Sequence, residues 1–224
     1  MLENKGCEDL VYVKTKSGER VPIKARFIPI EEDGVVTGAI EIFSRNSQRI
    51  FDDNIVVSLR DIALHDRLTK LPNRNYLLKV LEHKLTEFKI NDKMFLILFG
   101  DIDNFRYVNN NYGHEAGDIV LQSIANLFLN NSRADDLICR WGGEEFIGIY
   151  PINAINESLY IAEKIRRTVE ETPINVNDKD SINLTISLGA TTPNKDDTIK
   201  SLIERADLLM YQAKDTGKNK VIYG

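Results

Sequence analysis

The sequence predicts an α/β protein with a mainly antiparallel central sheet flanked by helices, preceded by an antiparallel β meander. Three observations predict it. Beyond residue 65 the patterning runs helix, strand, helix, hairpin, helix, strand, helix, strand, an order that fits helices packed against a sheet. Met94 to Ile102 is an almost continuous apolar run, as expected of a strand buried on both faces. Residues 1–45 hold three β-rich runs parted by turn signals at Ser17-Gly18 and Asp33-Gly34.

The bulk numbers bound the function. The chain has 224 residues, 42% of them hydrophobic and 28% charged, the balance of a soluble globular protein with room for one domain and an appendage. A net charge of −5 gives no reason to expect nucleic acid or an anionic membrane as partner. The apolar run Met94 to Phe99 is far too short to span a bilayer, and Met1 to Lys5 do not begin a signal peptide. Cys7 and Cys139 are distant and in unlike contexts, so two reduced thiols in a cytoplasmic protein are expected. His65, His83 and His114 lack metal-ligand spacing.

In order, Leu10–Lys14, Arg20 to Ile30 (broken near Pro29) and Val35 to Ser44 read as strands. Over 46–64 the period changes, and Ile55, Leu59 and Ile62 follow a 4-3 helical spacing. Such a helix either packs on its own domain or pairs two chains. Asn73 can cap a helix running to about Lys89, with Leu77, Leu78, Leu81, Leu85 and Phe88 on its apolar face. A helix opens at Asn104, is interrupted over Asn109 to His114 and restarts at Asp118. Asp136 to Trp141 and Phe146 to Tyr150 form a hairpin with its turn at Gly142-Gly143. A helix from about Glu157 to Glu171, a strand from Ile182 to Ala190, a helix from about Thr198 to Lys214 and a strand from Lys220 to Tyr223 complete the chain.

Two places carry chemistry. Asp101 and Asp103 emerge from the buried strand at i and i+2, on one side of the sheet. Carboxylates at such a place need a partner or a cation. If the strand lies beside the hairpin, Asp101 and Glu144 converge. Oxygen ligands without His or Cys suit Mg²⁺ or Mn²⁺. The backbone N–H groups of the helix opening after Asp103 form a natural phosphate cradle. The hairpin tip alone, Gly142-Gly143-Glu144-Glu145, could be a solvated turn.

Residues 65–224 resemble the GGDEF family of diguanylate cyclases. The resemblance is carried by Asp66-x-Leu68-Thr69-x-Leu71-Pro72-Asn73-Arg74, Asp101-Ile102-Asp103-x-Phe105, Asn109-x-x-Tyr112-Gly113-His114, Gly142 to Phe146 and Ala213-Lys214. Residues 1–45 resemble the last strands of a PAS sensor domain, which makes 46–64 a signalling linker helix. The GGDEF fold is similar to the palm of nucleotide cyclases and polymerases. The resemblance implies that two GTP molecules are joined into cyclic di-GMP with release of two pyrophosphates, across a homodimer. It implies Mg²⁺ or Mn²⁺ held by Asp101, the Ile102 carbonyl and Glu144. Glu145 is the next candidate for metal or base work, and Asp103 follows. Phosphates fall to the backbone of Asn104 and Phe105 with Lys214 and Lys218. Taken alone, the two lysines read as a solvated helix end. Substrate contacts fall to Asn109, His114 and Asp118, the first and last at guanine; His114 could equally stabilise its loop. Arg133 and Asp136 match the family's RxxD inhibitory site for cyclic di-GMP, with Lys164 in place of a second arginine. The alternative is a catalytically weak module that serves as a cyclic di-GMP receptor or dimerisation domain. The intact acids at 101, 144 and 145 argue against it.

Overall fold

The computed structural model describes residues 7–14, 20–32, 35–44 and 64–224, in two units that divide after Arg60. In the first, β1 (Cys7–Lys14), β2 (Arg20–Glu32) and β3 (Val35–Ser44) form an antiparallel sheet in chain order. The expected break at Pro29 does not occur. Pro29 pairs opposite Ala39, and the ladder shifts register between Ile30 and Glu31, so a bulge absorbs the irregularity without ending the strand. Ile55, Leu59 and Ile62 of the expected linker helix lie outside the described residues.

The second unit begins with a turn. Asp66 accepts from the backbone and hydroxyl of Thr69, each at 2.8 Å. Helix α1 (Arg74–Asn91) follows, its N-cap Asn73 accepting from the Tyr76 N–H. Strand β4 (Phe95–Ile102) is buried throughout. Then come α2 (Phe105–Tyr112), α3 (His114–Asn130), β5 (Leu137–Gly142), β6 (Glu145–Pro151) and α4 (Asn156–Glu171). Short β7 (Ile174–Asn175) and β8 (Ser181–Ile182) pair with each other. Strand β9 (Ile186–Thr191), α5 (Ile199–Asp215) and β10 (Val221–Tyr223) complete the unit. The five-stranded sheet has the order β10-β9-β4-β6-β5. Only the β10–β9 pair is parallel, so the sheet is mixed.

Strand alternation sorts the core into two layers. Leu96, Leu98 and Ile102 face α2, α3 and α4, packing with Val108, Ile124, Phe128, Ala162 and Val169. Phe95, Ile97 and Phe99 face α1 and α5, packing with Leu77, Leu81, Leu202 and Ala206. The period of two along a strand therefore delivers Asp101 on the α1/α5 side. Helix α5 approaches closely because β9 has Gly189 beneath it; a Cβ there would come within 2.0 Å of the Ala206 carbonyl oxygen.

Three local expectations are corrected. The hairpin loop is Gly143-Glu144, because Gly142 pairs with Glu145. Gly143 has φ of 51°, and a positive φ at the first loop position of a tight hairpin favours glycine. The helix after the interruption restarts at His114, with Gly113 (φ of 85°) between α2 and α3. The strand expected over 182–190 is split into β8 and β9.

Candidate active site

The acid-bearing strand and the hairpin meet as the alternation requires. Asp101 stands opposite Glu145 in the β4–β6 ladder, and the Ile102 N–H donates to the Glu144 carbonyl at 3.3 Å. The Glu144 tip thus closes over the end of β4. Beside it lies a cleft of about 410 Å³ lined by Ile102, Asn104, Phe105, Glu144, Lys214 and Lys218, all residues singled out in the sequence. Arg106, Tyr107 and Asn110 of α2 also line it. Sequence reasoning missed these three. The i, i+4 spacing of Arg106 and Asn110, on the helix that opens where the acids end, is the signal that finds them.

Charge in the cleft is balanced but crowded. The Lys214 ammonium donates to Asp101 Oδ1, and Lys218 Nζ donates to Asn104 Oδ1 at 2.5 Å. Burial pushes the Asp101 carboxyl above the ordinary aspartate range; Lys214 pulls it down, and the charges of Glu144 and Asp103 push it up again. Glu145 is raised as well, first by burial, then by Asp101, Asp207 and Glu144. Glu145 lines a second cleft, of about 630 Å³, with Trp141 and Asp207.

Asp103 departs from its expected role. The strand ends at Ile102, and Asn104 takes φ of 58°. Asp103 is only 1% exposed and accepts from Thr185 Oγ1 and Ser187 Oγ, each at 2.7 Å, and from the Asn219 N–H at 3.0 Å. It is a satisfied, buried carboxylate that fastens loops together. Asp103 does not share the i, i+2 face with Asp101 because the strand has ended at Ile102.

The cation expected here has a fitting donor set in two carboxylates and a backbone carbonyl, all hard oxygens. Among the described residues, no group of three or more His, Cys, Asp and Glu side chains is placed to hold a metal ion. Asp101, Glu144 and the Ile102 carbonyl are the groups that would hold a divalent ion, whose charge would offset the burial and the neighbouring carboxylates that raise Asp101.

The remaining candidates lie outside this lining. Asn109 is half-buried in the middle of α2, its amide oxygen against Gly117, while His114 and Asp118 are exposed at the start of α3. Arg133 and Asp136 form one turn, the Arg133 N–H donating to Asp136 Oδ2 at 2.8 Å. Lys164 on α4 reaches the Asn131 carbonyl beside that turn at 3.4 Å, so the three proposed inhibitory residues share one surface region. Arg140 was not anticipated. It donates to both Asp66 oxygens at 3.1 and 3.3 Å and to the Gly143 carbonyl at 3.0 Å, tying the first turn to the hairpin tip.

Among the described residues no helix is long and apolar enough to cross a membrane. The chain is 40% identical over 164 residues to the response regulator PleD of Caulobacter vibrioides, covering 72% of this chain and 36% of that protein. It is 38% identical over 167 residues to diguanylate cyclase A of Treponema denticola, covering 73% and 45%. The chain thus spans less than half the length of these relatives. Among solved structures, the coiled coil and GGDEF domain of DgcB from Caulobacter crescentus, in complex with c-di-GMP, matches with a TM-score of 0.72 at 26% identity, over 77% of this chain and 91% of that one. The family described as "Diguanylate cyclase, GGDEF domain" matches residues 63–220. With the acid-bearing strand end, the glycine hairpin and the lysine-lined cleft in the places described, the chain belongs to the GGDEF family.

Proposed function

We propose that the chain is a diguanylate cyclase that condenses two GTP into cyclic di-GMP and two pyrophosphates, acting as a homodimer. The observation that carries this reading is the convergence of Asp101 and Glu144 at the mouth of a cleft that also presents Lys214, Lys218 and the first turn of α2. A bound Mg²⁺ or Mn²⁺ would supply charge stabilisation for the displacement at phosphorus. The chain's own residues do the positioning. Lys214, Lys218 and the backbone of Asn104 and Phe105 hold the triphosphate, so that its pyrophosphate leaves in line with the attacking 3′-hydroxyl. The hydroxyl proton passes to a base, for which Glu145, paired opposite Asp101 at the end of β4, is the candidate although it lines the neighbouring cleft. Repetition on the second nucleotide closes the ring.

Guanine recognition is assigned to Asn109 and Asp118, with His114 supporting the loop. A carboxylate accepts from both N1–H and the 2-amino group, which adenine cannot match. Product inhibition is assigned to Arg133, Asp136 and Lys164. The N-terminal meander is read as the end of a PAS-like sensor segment and 46–64 as the linker that conveys its state. Incubation with GTP and Mg²⁺ followed by nucleotide chromatography tests the reading. Cyclic di-GMP is expected. Binding of cyclic di-GMP without turnover would assign the chain as a receptor instead.

A further inference from the structure

The loop before β10 is built in an unusual conformation. Gly217, Lys218 and Asn219 have φ of 112°, 62° and 48°, and two consecutive non-glycine residues in the left-handed region cost energy unless their surroundings hold them there. The surroundings do so through Asn219. Its backbone N–H donates to Asp103 Oδ2 at 3.0 Å, its amide nitrogen to Glu170 Oε1 at 2.6 Å, and its amide oxygen accepts from Arg166 at 2.6 Å. Arg166 is 9% exposed and is held in turn by Glu163 and Glu170, each at 2.7 Å. The Asn219 amide and then the Arg166 guanidinium hold the Glu170 carboxyl below its usual range. None of these residues lines the cleft, but Lys218, next in the chain, does.

We infer that Asn219, clamped by Arg166, Glu170 and Asp103, is a positioning residue that fixes the Lys218 loop so that its ammonium faces Asn104 and the phosphate groups of the substrate. This rests on the reading that the cleft binds a nucleoside triphosphate. The clamp explains why a charged arginine on the inner side of α4 is buried, and why Asp103 is saturated with loop contacts instead of joining Asp101. A lysine on a free four-carbon stem is a mobile point charge; a fixed loop removes the ordering cost at the moment of binding.

The test uses the whole chain and inorganic pyrophosphate with Mg²⁺, measured by calorimetry. Asn219→Gly tolerates the left-handed backbone and keeps the N–H to Asp103, while deleting the bonds to Arg166 and Glu170. It is expected to weaken pyrophosphate binding about tenfold. In the Lys218→Ala background the same change should cost less than about twofold, because the lysine it positions is already gone. In turnover assays KM for GTP should rise while kcat stays within about threefold. Glu170→Gln, which still offers Asn219 an acceptor oxygen, should bind nearly as wild type, and Arg166→Lys should fall between. Unchanged binding by Asn219→Gly overturns the inference, as does an equal loss with and without Lys218, or a wild-type chain that binds no pyrophosphate. If the binding pattern holds but GTP is not cyclised, the clamp stands and the cyclase reading fails.

Discussion

Replacing Arg140 with alanine should loosen the hairpin tip and destabilise the second unit together. The side chains of Arg140 and Asp66 are 16% and 24% exposed, so the pair is neither a surface bridge nor a fully buried one. Hydrogen bonds to charged groups contribute about 1.5–3 kcal/mol each in favourable settings. Removal of one partner from a fully buried pair costs about 3–5 kcal/mol. Asp66 keeps two bonds from Thr69 when the guanidinium is lost and is not orphaned. A loss of about 2 kcal/mol is therefore expected, or about 4–8 °C in Tm for a unit of this size. The assay is a double-mutant cycle with Asp66→Asn, followed by urea denaturation, with a coupling of about 1–1.5 kcal/mol expected. Burial pushes the Asp66 carboxyl up, but the bonds from Thr69 and the Arg140 guanidinium outweigh it and leave the group below its usual range. A depressed folded value stabilises above the unfolded value of about 3.9. The coupling should therefore be full at pH 7 and vanish as pH falls below about 4 through the lower folded value. Loss of the Arg140 bond to the Gly143 carbonyl should also lower kcat, on the order of tenfold. A coupling below about 0.3 kcal/mol, within the error of additivity, would show that Arg140 and Asp66 do not hold the hairpin tip to the first turn.

Three further outcomes follow from the site. Glu144→Gln keeps the size of the side chain but removes an anionic oxygen, and should abolish turnover while leaving the melting curve near wild type; a folded variant with wild-type rates contradicts the ligand assignment. Asp118→Ser should relax discrimination between GTP and ATP by about 1–3 kcal/mol in competition assays. Arg133→Ala should leave initial rates near wild type and let product accumulate further, read from full progress curves.

The sequence was most informative where one residue settles a local geometry. Asn73, read as a cap, does cap its helix through its own side chain. The apolar run into Asp101 became the central buried strand, and the glycine beside Glu144 became a tight loop. Its limits lay in long-range pairing. Asp103 could be assigned only once Ser187 and Asn219, more than 80 residues away, were seen to enclose it. Arg166 reads as one more charge on an amphipathic helix until Asn219 appears beside it. The parallel β10–β9 pair was hidden for the same reason, since a three-residue strand carries too little pattern to give its direction. The pairing of β7 with β8 was missed because two-residue strands have no period. Asn109, His114 and Asp118 were singled out by motif alone, and the break at Gly113 starts α3 four residues before the expected Asp118.

In the proposed homodimer two of these clefts face each other, each presenting one GTP, an isologous arrangement of two copies of the chain. The direct test is the initial rate of cyclic di-GMP formation across a wide range of protein concentration, with sedimentation of the same samples. Apposed half-sites require a rate that rises with nearly the square of protein concentration while monomer dominates, and linearly once the dimer is formed. A rate strictly proportional to concentration throughout, from a protein that sediments as a monomer, would contradict that arrangement.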